Sequence, residues 1–596
     1  KLEIIEKTAA ELLKKHKQKI EAVHKNNKQG MLNMIHYLAL RDKDTRKLQE
    51  QLASLGLSRL GKAEAHVMAS ISKIKDILSY LTGEKIPLPI KPPHQIKEAK
   101  KIAGQNAEAL FGPKVKKKTT RIMVTLPAIT ANDYQLVKKL VENGMRVGRI
   151  NCAHDNPEVW LNIISNIRRA AEETKLPCKV ALDLSGPKLR TGKLPDGPKV
   201  VHFSPERDSI GGVVIPADVI ICSEIPLLND GETFLPVTND VLDNLKPGVD
   251  LLISDVRGHD IVVSVTGRHE YGFIGSSKDT AYILSGTDVF IAGDDSILGK
   301  VKDLPPAEQW IPIRCNDIIS LVFGEDECTP AKFDDQGKCI APSKLTCPEK
   351  ALFEQVKRGQ RVLFDDGSVV SEVEEVREDE LILRVTFTKK DVVKIRSFKG
   401  INIPDTELKI LGLTAKDKED LKFIALYGDI VNLSFVNSAN DLRNLFDELQ
   451  TLNASHIGVV IKIETQSGFK NLPSILAEGM THYPVGVMIA RGDLAVEYGW
   501  EALAFVQTEI MRISESALLP VIWATQVLES LTKKGIPSRA EITDVAEGGR
   551  ADCVMLNKGP HILSAVEMID TVFAYLKKYS DKKSPLLPPK PYADIE

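Results

Sequence analysis

From residue 121 onward, short apolar runs alternate with longer stretches that mix apolar and charged residues. The runs are RIMVTLP (121–127), MRVGRINC (145–152), KVALDLS (179–185), DIVNLSF (429–435), IGVVIKIE (457–464), VGVMIARGD (485–493), LPVIWATQ (519–526) and DCVMLNKG (552–559). Between them, DYQLVKKLVENG, PEVWLNIISNIRRAAEETK, AKDKEDLKFIALYG and ANDLRNLFDELQTLNA place apolar residues three and four apart, which predicts helices, and AVEMIDTVFAYLKKY follows the eighth run. Strand and helix alternating eight times predict an α/β fold, a (β/α)8 TIM barrel. The competing doubly wound sheet is disfavoured by the eight units and by the lack of a Gly-x-Gly-x-x-Gly turn.

The rhythm is interrupted once. Roughly 240 residues separate the third run from the fourth, far more than a βα loop needs. Residues 194–400 are rich in Val, Ile, Gly, Asp and Pro, and predict an inserted, β-barrel-like lid domain after strand 3, rising from the C-terminal face of the barrel. Within it LKPGVDLLISDVRGHDIVVSV (245–265) matches VKRGQRVLFDDGSVVSEVEEV (356–376), with Gly248 over Gly359 and Asp255 over Asp366, so the insertion is expected to hold a duplicated unit. The barrel is then divided between 116–193 and 401–596. Residues 1–115 carry helical periodicity in EIIEKTAAELLKKHKQKIEAVHK and AEAHVMASISKIKDILSYLTG, followed by the Pro-rich GEKIPLPIKPPHQ, and predict an N-terminal all-helical region and linker. This region shows no chemistry and reads as a packed accessory bundle, with a partner or oligomer interface as the alternative.

Composition narrows the classes. With 596 residues, 43% hydrophobic and 27% charged, the chain reads as a globular protein of several domains. A net charge of −2 gives no general attraction to nucleic acid or to an anionic membrane. No run of 18 apolar residues and no signal peptide is visible, and eight cysteines without a C-x-x-C pair argue against a zinc ribbon or a disulfide framework. A cytoplasmic location is expected.

The chemistry gathers where the runs end, which in a barrel is the C-terminal face. The second run ends with Arg149, Asn151 and His154; the third with Asp183, then Lys188 and Arg190; the fifth with Lys462 and Glu464; the sixth with Arg491 and Asp493; the seventh with Thr525; the eighth with Asn557 and Lys558. Any one pair could simply brace the barrel, but desolvating so many charges at one rim without a ligand is costly. Glu464 and Asp493 offer hard oxygen ligands suited to Mg2+ held jointly with a phosphorylated substrate. Lys462, Arg149 and Arg190 supply cations for phosphate oxygens, and the Gly492 N–H can face an anion. With no Ser-His-Asp arrangement and no soft metal cluster, the set points to Mg2+-dependent phosphoryl transfer.

GMRVGRINCAH, ALDLSGPKLRTG, FKGINIP, IKIET, VMIARGDLAVE, WATQVLESL and PSRAEITDVAEGGRADCVML resemble, in order, the motifs of the pyruvate kinase family over roughly residues 120–580. The resemblance implies a transferase, a kinase of glycolysis, moving the phosphoryl group of phosphoenolpyruvate to ADP to give pyruvate and ATP. It implies Glu464 and Asp493 as Mg2+ ligands, and a second Mg2+ that travels with the nucleotide. Lys462 would neutralise the phosphoryl group and then the enolate. Gly492, Asp493 and Thr525 would bind the substrate carboxylate, with Thr525 also relaying the proton. Arg149 and Arg190 would face the phosphates, Asn151 and His154 would lie near the nucleotide, and Lys399 would reach it from the lid. Family members that need K+ carry Glu at the position of Lys188, so Lys188, expected near Asn151 and Asp183, implies that K+ is not required. Ala153, where the family has a K+-ligating Ser, agrees.

Other features depart from the family: no Gly precedes Pro127, NKGPH (557–561) replaces the last barrel motif, the insertion is about twice the usual lid, and the family's C-terminal regulatory domain is not expected. The family's homo-oligomer interface is therefore left open. Two rival readings follow, the same chemistry on another enol acid or acceptor, and a retired enzyme serving as a scaffold.

Overall fold

The computed structural model describes residues 1–577 apart from 85, 88, 115–119, 226–231, 409 and 411, together with 580, 581, 584 and 585. Most of the Pro-rich end, KKSPLLPPKPYADIE, lies outside the described residues. Eight parallel strands close a barrel in chain order: Arg121–Thr125, Met145–Asn151, Lys179–Asp183, Ile430–Leu433, Gly458–Ile463, Val485–Ala490, Val521–Ala524 and Cys553–Leu556, the eighth pairing back onto the first. These are the eight apolar runs. They were legible because strands enclosed by helices outside and packed side chains inside are apolar on both faces. The helices Tyr134–Asn143, Pro157–Thr174, Ala415–Tyr427 and Ala439–Thr451 fall on the periodic stretches.

The N-terminal helices pack on the barrel's N-terminal face. Helix Ile96–Phe111 ends with Leu110 and Phe111 buried in one cluster with Met123, Val147, Ala181, Val460, Met488 and Ile522, so it plugs the barrel floor. The floor has room because two strands carry glycine there: a Cβ on Gly458 or Gly486 would lie 2.6 Å from the Leu110 methyls. Helix Lys28–Arg41 lies against the loops that enter the sixth and seventh strands. Asn27 Nδ2 donates to Met480 O (3.0 Å), Asn33 Nδ2 donates to Ser516 O (2.8 Å), and a Cβ on Gly30 would meet Ala517 O at 2.1 Å. The first periodic stretch is broken at His16 into helices Leu2–Lys15 and Lys17–Ala22.

The chain between the third and fourth barrel strands forms two β units with separate hydrophobic clusters, one over 203–304 and one built from Leu194 and 311–403. Their main sheets share one order of pairings. Each starts with a parallel pair, Ala217–Cys222 with Phe234–Pro236 and Ile318–Phe323 with Ser343–Cys347. Each then runs antiparallel through a returning strand, a hairpin and one further strand, beyond which the first unit adds Gly299–Lys300. The hairpins are Asp250–Ser254 with Asp260–His269, and Arg361–Phe364 with Val369–Val376. The matched glycines are equivalent: Gly248 (φ +93°) and Gly359 (φ +84°) enter the two hairpins, their N–H groups donating at 2.8 Å to Val265 O and Val373 O. The second unit holds both connections to the barrel, through Gly192 N to Thr346 O (2.8 Å) and the Arg190–Gly400 bridge. The first, outer unit is spliced into the second, inner unit at a neck where Lys199 bridges Pro306.

Candidate active site

The ends of the first five strands meet in one network of ion pairs and hydrogen bonds on the C-terminal face. Asp183, at the end of the third strand, is 1% exposed. Its Oδ2 accepts from Arg149 NH2 (2.7 Å) and lies 3.2 Å from Lys462 Nζ, while Asn432 Nδ2 donates to Oδ1. Burial works against its charge, but Arg149 and Lys462 outweigh burial and bring the Asp183 pKa down to about 2. Lys462 is 8% exposed and donates to Ser434 Oγ (2.7 Å), with Glu464 Oε1 at 3.3 Å. Burial opposes the ammonium as well; Glu464 and Asp183 override it and raise its pKa. The Lys462 ammonium is thus a fixed positive charge at the centre of the rim. Arg149 NH1 donates to Thr125 Oγ1 (2.9 Å), and its buried Nε has no partner.

Glu464 is 3% exposed, with Oε2 accepting from Phe435 N (2.6 Å). Its pKa is raised first by burial and then by the negative charge of Asp493. A divalent cation placed between the two carboxylates would relieve this effect on Glu464. Among the described residues no group of three or more His, Cys, Asp or Glu side chains could hold a metal. Glu464 and Asp493 could hold a divalent cation whose remaining positions water and substrate would fill, a donor set that suits Mg2+.

The sixth strand passes directly into helix Arg491–Tyr498. A Cβ on Gly492 would lie 2.8 Å from Thr525 Cγ2, so glycine lets the threonine come close. Thr525 (φ +72°) and Gln526 (φ +57°) turn through the left-handed region, which is strained for a β-branched residue. Arg491 secures that turn. Its Nε donates to Ala524 O (2.8 Å) and its NH2 to Thr525 O (2.7 Å), while Asp544 clamps the guanidinium and Trp523 lies beneath it, 4.4 Å from the ring centre. Arg491 therefore faces the protein and holds Thr525.

The residues expected on the nucleotide side are more open. Asn151 Oδ1 accepts from Ala153 N (3.2 Å), and His154 lies within electrostatic reach of Lys558, Arg190 and Arg149; partial desolvation and then these cations lower its pKa. Arg190 NH1 donates to Phe398 O (3.2 Å), and Lys399 pairs with Asp365 (2.9 Å). Lys188 departs from expectation. Its ion pairs are with Asp493 Oδ1 (2.7 Å) and Asp366 Oδ1 (3.9 Å), whereas Asp183 is paired with Arg149 and Lys462. The reason is directional: after Gly186 (φ +67°) the chain leaves the barrel, and the Lys188 side chain runs over Gly400 (a Cβ there would lie 3.1 Å from Lys188 Cε) and beside the Phe435 ring, back to the sixth strand.

Sequence reasoning missed Asn432 and Ser434. They sit two apart in the fourth run, DIVNLSF, and their polarity inside a buried strand was the available signal. It also gave no role to Asp365 and Asp366, the turn residues of FDDGS.

A family model for the pyruvate kinase barrel domain matches residues 117–215 and 327–560, more than half of the chain. The gap, 216–326, takes in most of the first β unit together with strands Ile311–Ile313 and Ile318–Phe323 of the second. The chain is 32% identical over 316 residues to a pyruvate kinase of Debaryomyces hansenii (51% of this chain, 58% of that protein) and 36% identical over 293 residues to one of Thermococcus litoralis (48% and 58%). A pyruvate kinase of Thermotoga maritima is 25% identical over 462 residues (76% and 70%). The chain thus spans about three fifths of the length of the first curated relatives it matches, 58% and 57%. In fold it resembles the crystal structure of a pyruvate kinase from Cryptosporidium parvum, with a TM-score of 0.53 and 22% identity over 80% of this chain and 73% of the other.

Proposed function

Because this chain belongs to the pyruvate kinase family, we propose that it moves the phosphoryl group of phosphoenolpyruvate to ADP. The observation that carries the reading is the buried Lys462 ammonium, held by Asp183, Glu464 and Ser434 at the centre of an ionic rim. Phosphoryl transfer asks for positioning and charge neutralisation more than for a nucleophilic side chain, and this rim supplies both.

The bond between phosphorus and the enol oxygen breaks as a terminal oxygen of ADP bonds to phosphorus. Lys462 holds a positive charge against the phosphoryl oxygens in flight and then against the enolate oxygen left behind. Arg149, with its free Nε, binds the phosphoryl group from the second strand. The Gly492 and Asp493 N–H groups and the Thr525 hydroxyl hold the substrate carboxylate, and Thr525 relays a proton to the enol carbon. Asn151, His154, Arg190 and, from the β insertion acting as a lid, Lys399 bind the nucleotide phosphates. Glu464 and Asp493 would hold Mg2+ shared with the substrate, and a second ion would arrive with the nucleotide. When bound, Mg2+ adds positive charge to the phosphate oxygens.

K+ is not required in this reading. Ala153 brings no hydroxyl, and both oxygens of Asp183 are already satisfied by Arg149, Lys462 and Asn432. These groups, rather than Lys188 beside Asp183, are the physical basis for it. NKGPH and the outer β unit favour a second reading, the same transfer with another enol acid or acceptor.

A coupled assay with phosphoenolpyruvate, ADP and Mg2+ tests the proposal. Pyruvate should form with wild type and not with Lys462→Met. No pyruvate above that control, with turnover of another phosphorylated enol acid, would replace the first reading by the second.

A further inference from the structure

Lys188 stands between two carboxylates that belong to different parts of the molecule. Asp493 heads the helix after the sixth barrel strand, and Lys188 Nζ lies 2.7 Å from its Oδ1. Asp366 belongs to the hairpin turn of the inner β unit, 3.9 Å from the same nitrogen and largely exposed. The turn is well fixed: Asp365 and Asp366 both adopt φ +52°, Asp365 N donates to Gly400 O (3.0 Å), and the Asp365 carboxylate pairs with Lys399. Two non-glycine residues in succession in the left-handed region mark a strained turn aimed at the rim. The equivalent turn of the outer unit is occupied with itself: Asp255 accepts from the Arg257 and His259 N–H groups and pairs with the Arg257 side chain.

The carboxylate that Lys188 holds is one of the two proposed for Mg2+. An ammonium 2.7 Å from Asp493 Oδ1 and a divalent cation on that carboxylate repel each other. We propose that Lys188 is an exchangeable clamp: it rests on Asp493 while the divalent site is empty and transfers to Asp366 as the ion binds. Loading the metal site then draws the hairpin of the β insertion down onto the rim. Lys188 and Asp366 are positioning residues here, since they act through Asp493. The inference rests on the reading of Glu464 and Asp493 as metal ligands.

Mn2+ binding to the full chain without substrates, followed by the loss of the free-ion paramagnetic resonance signal, tests it in a double-mutant cycle. Asp366→Asn should weaken Mn2+ binding about three- to tenfold, because Lys188 loses its second partner. Lys188→Met should tighten binding, and in that background Asp366→Asn should have almost no effect. An equal effect of Asp366→Asn in both backgrounds would reduce Asp366 to a plain distant charge and overturn the clamp. So would an unchanged Kd for Asp366→Asn in the wild-type background. Those outcomes leave the metal reading standing, whereas no Mn2+ binding by wild type and Lys188→Met alike takes down both.

Discussion

Two buried ionic clusters lie in different regions of this protein. In the N-terminal helices, Lys75 Nζ and Glu6 Oε2 meet at 2.7 Å with both side chains 2% exposed. The pair closes on itself between helices Leu2–Lys15 and Val67–Thr82. At the C-terminal rim of the barrel, Arg149, Asp183, Lys462 and Glu464 form a chain of pairs, with the Arg149 Nε donor left over and the Glu464 carboxylate disfavoured by its neighbour. A closed pair holds two elements together; an over-supplied network at a strand-end rim has capacity for a ligand. The first cluster should therefore answer to stability measurements and the second to activity.

The sharpest test of that division is Lys462→Met. It should lower turnover by about a thousandfold or more while cooperative unfolding persists, since Asp183 keeps Arg149 and Asn432. Its counterpart is Glu6→Ala, which leaves Lys75 buried without its carboxylate. That should cost roughly 3–5 kcal/mol of stability in denaturant unfolding and leave kcat of the folded protein unchanged. Equal losses of activity from the two variants would erase the distinction.

A pH titration separates the regions by another route. His36, 2% exposed with neither ring nitrogen partnered, has its pKa lowered from 6.5 to about 4 by burial and by the neighbouring His94. Between those values the unfolded chain binds the proton and the folded chain does not, so stability falls as pH drops from about 6.5 toward 4, by about 3 kcal/mol in all. His36→Leu should flatten that limb, and a wild-type unfolding curve independent of pH over this window would contradict it. The smallest expected effect is a null one: replacing Na+ by K+ should leave turnover unchanged, and a steep rise would show that Asp183 still has an oxygen free for the ion.

What could be read from the sequence divides along the same line. The barrel was legible strand by strand, because burial on two faces writes itself as apolar runs such as VGVMIA and CVML. The charged strand ends were legible as residue types, because polarity is out of place at the end of such a run. Their partners were not. Whether Lys188 turns toward Asp183 or Asp493 depends on how the chain leaves the barrel after Gly186 and where Gly400 lets it pass. That Arg491 grips the Thr525 turn depends on Asp544, more than fifty residues onward. The plugging of the barrel floor by Leu110 was equally hidden, since it depends on missing side chains at Gly458 and Gly486.

The central claim, that the ionic rim carries phosphoryl transfer from phosphoenolpyruvate to ADP, is tested most directly by following the phosphorus itself. In 31P NMR of the full chain with both substrates and Mg2+, the account predicts that the phosphoenolpyruvate resonance decays as the γ-phosphate of ATP grows, and that neither changes with Lys462→Met. Persistent phosphoenolpyruvate with wild type, or growth of ATP at the same rate with Lys462→Met, would contradict it.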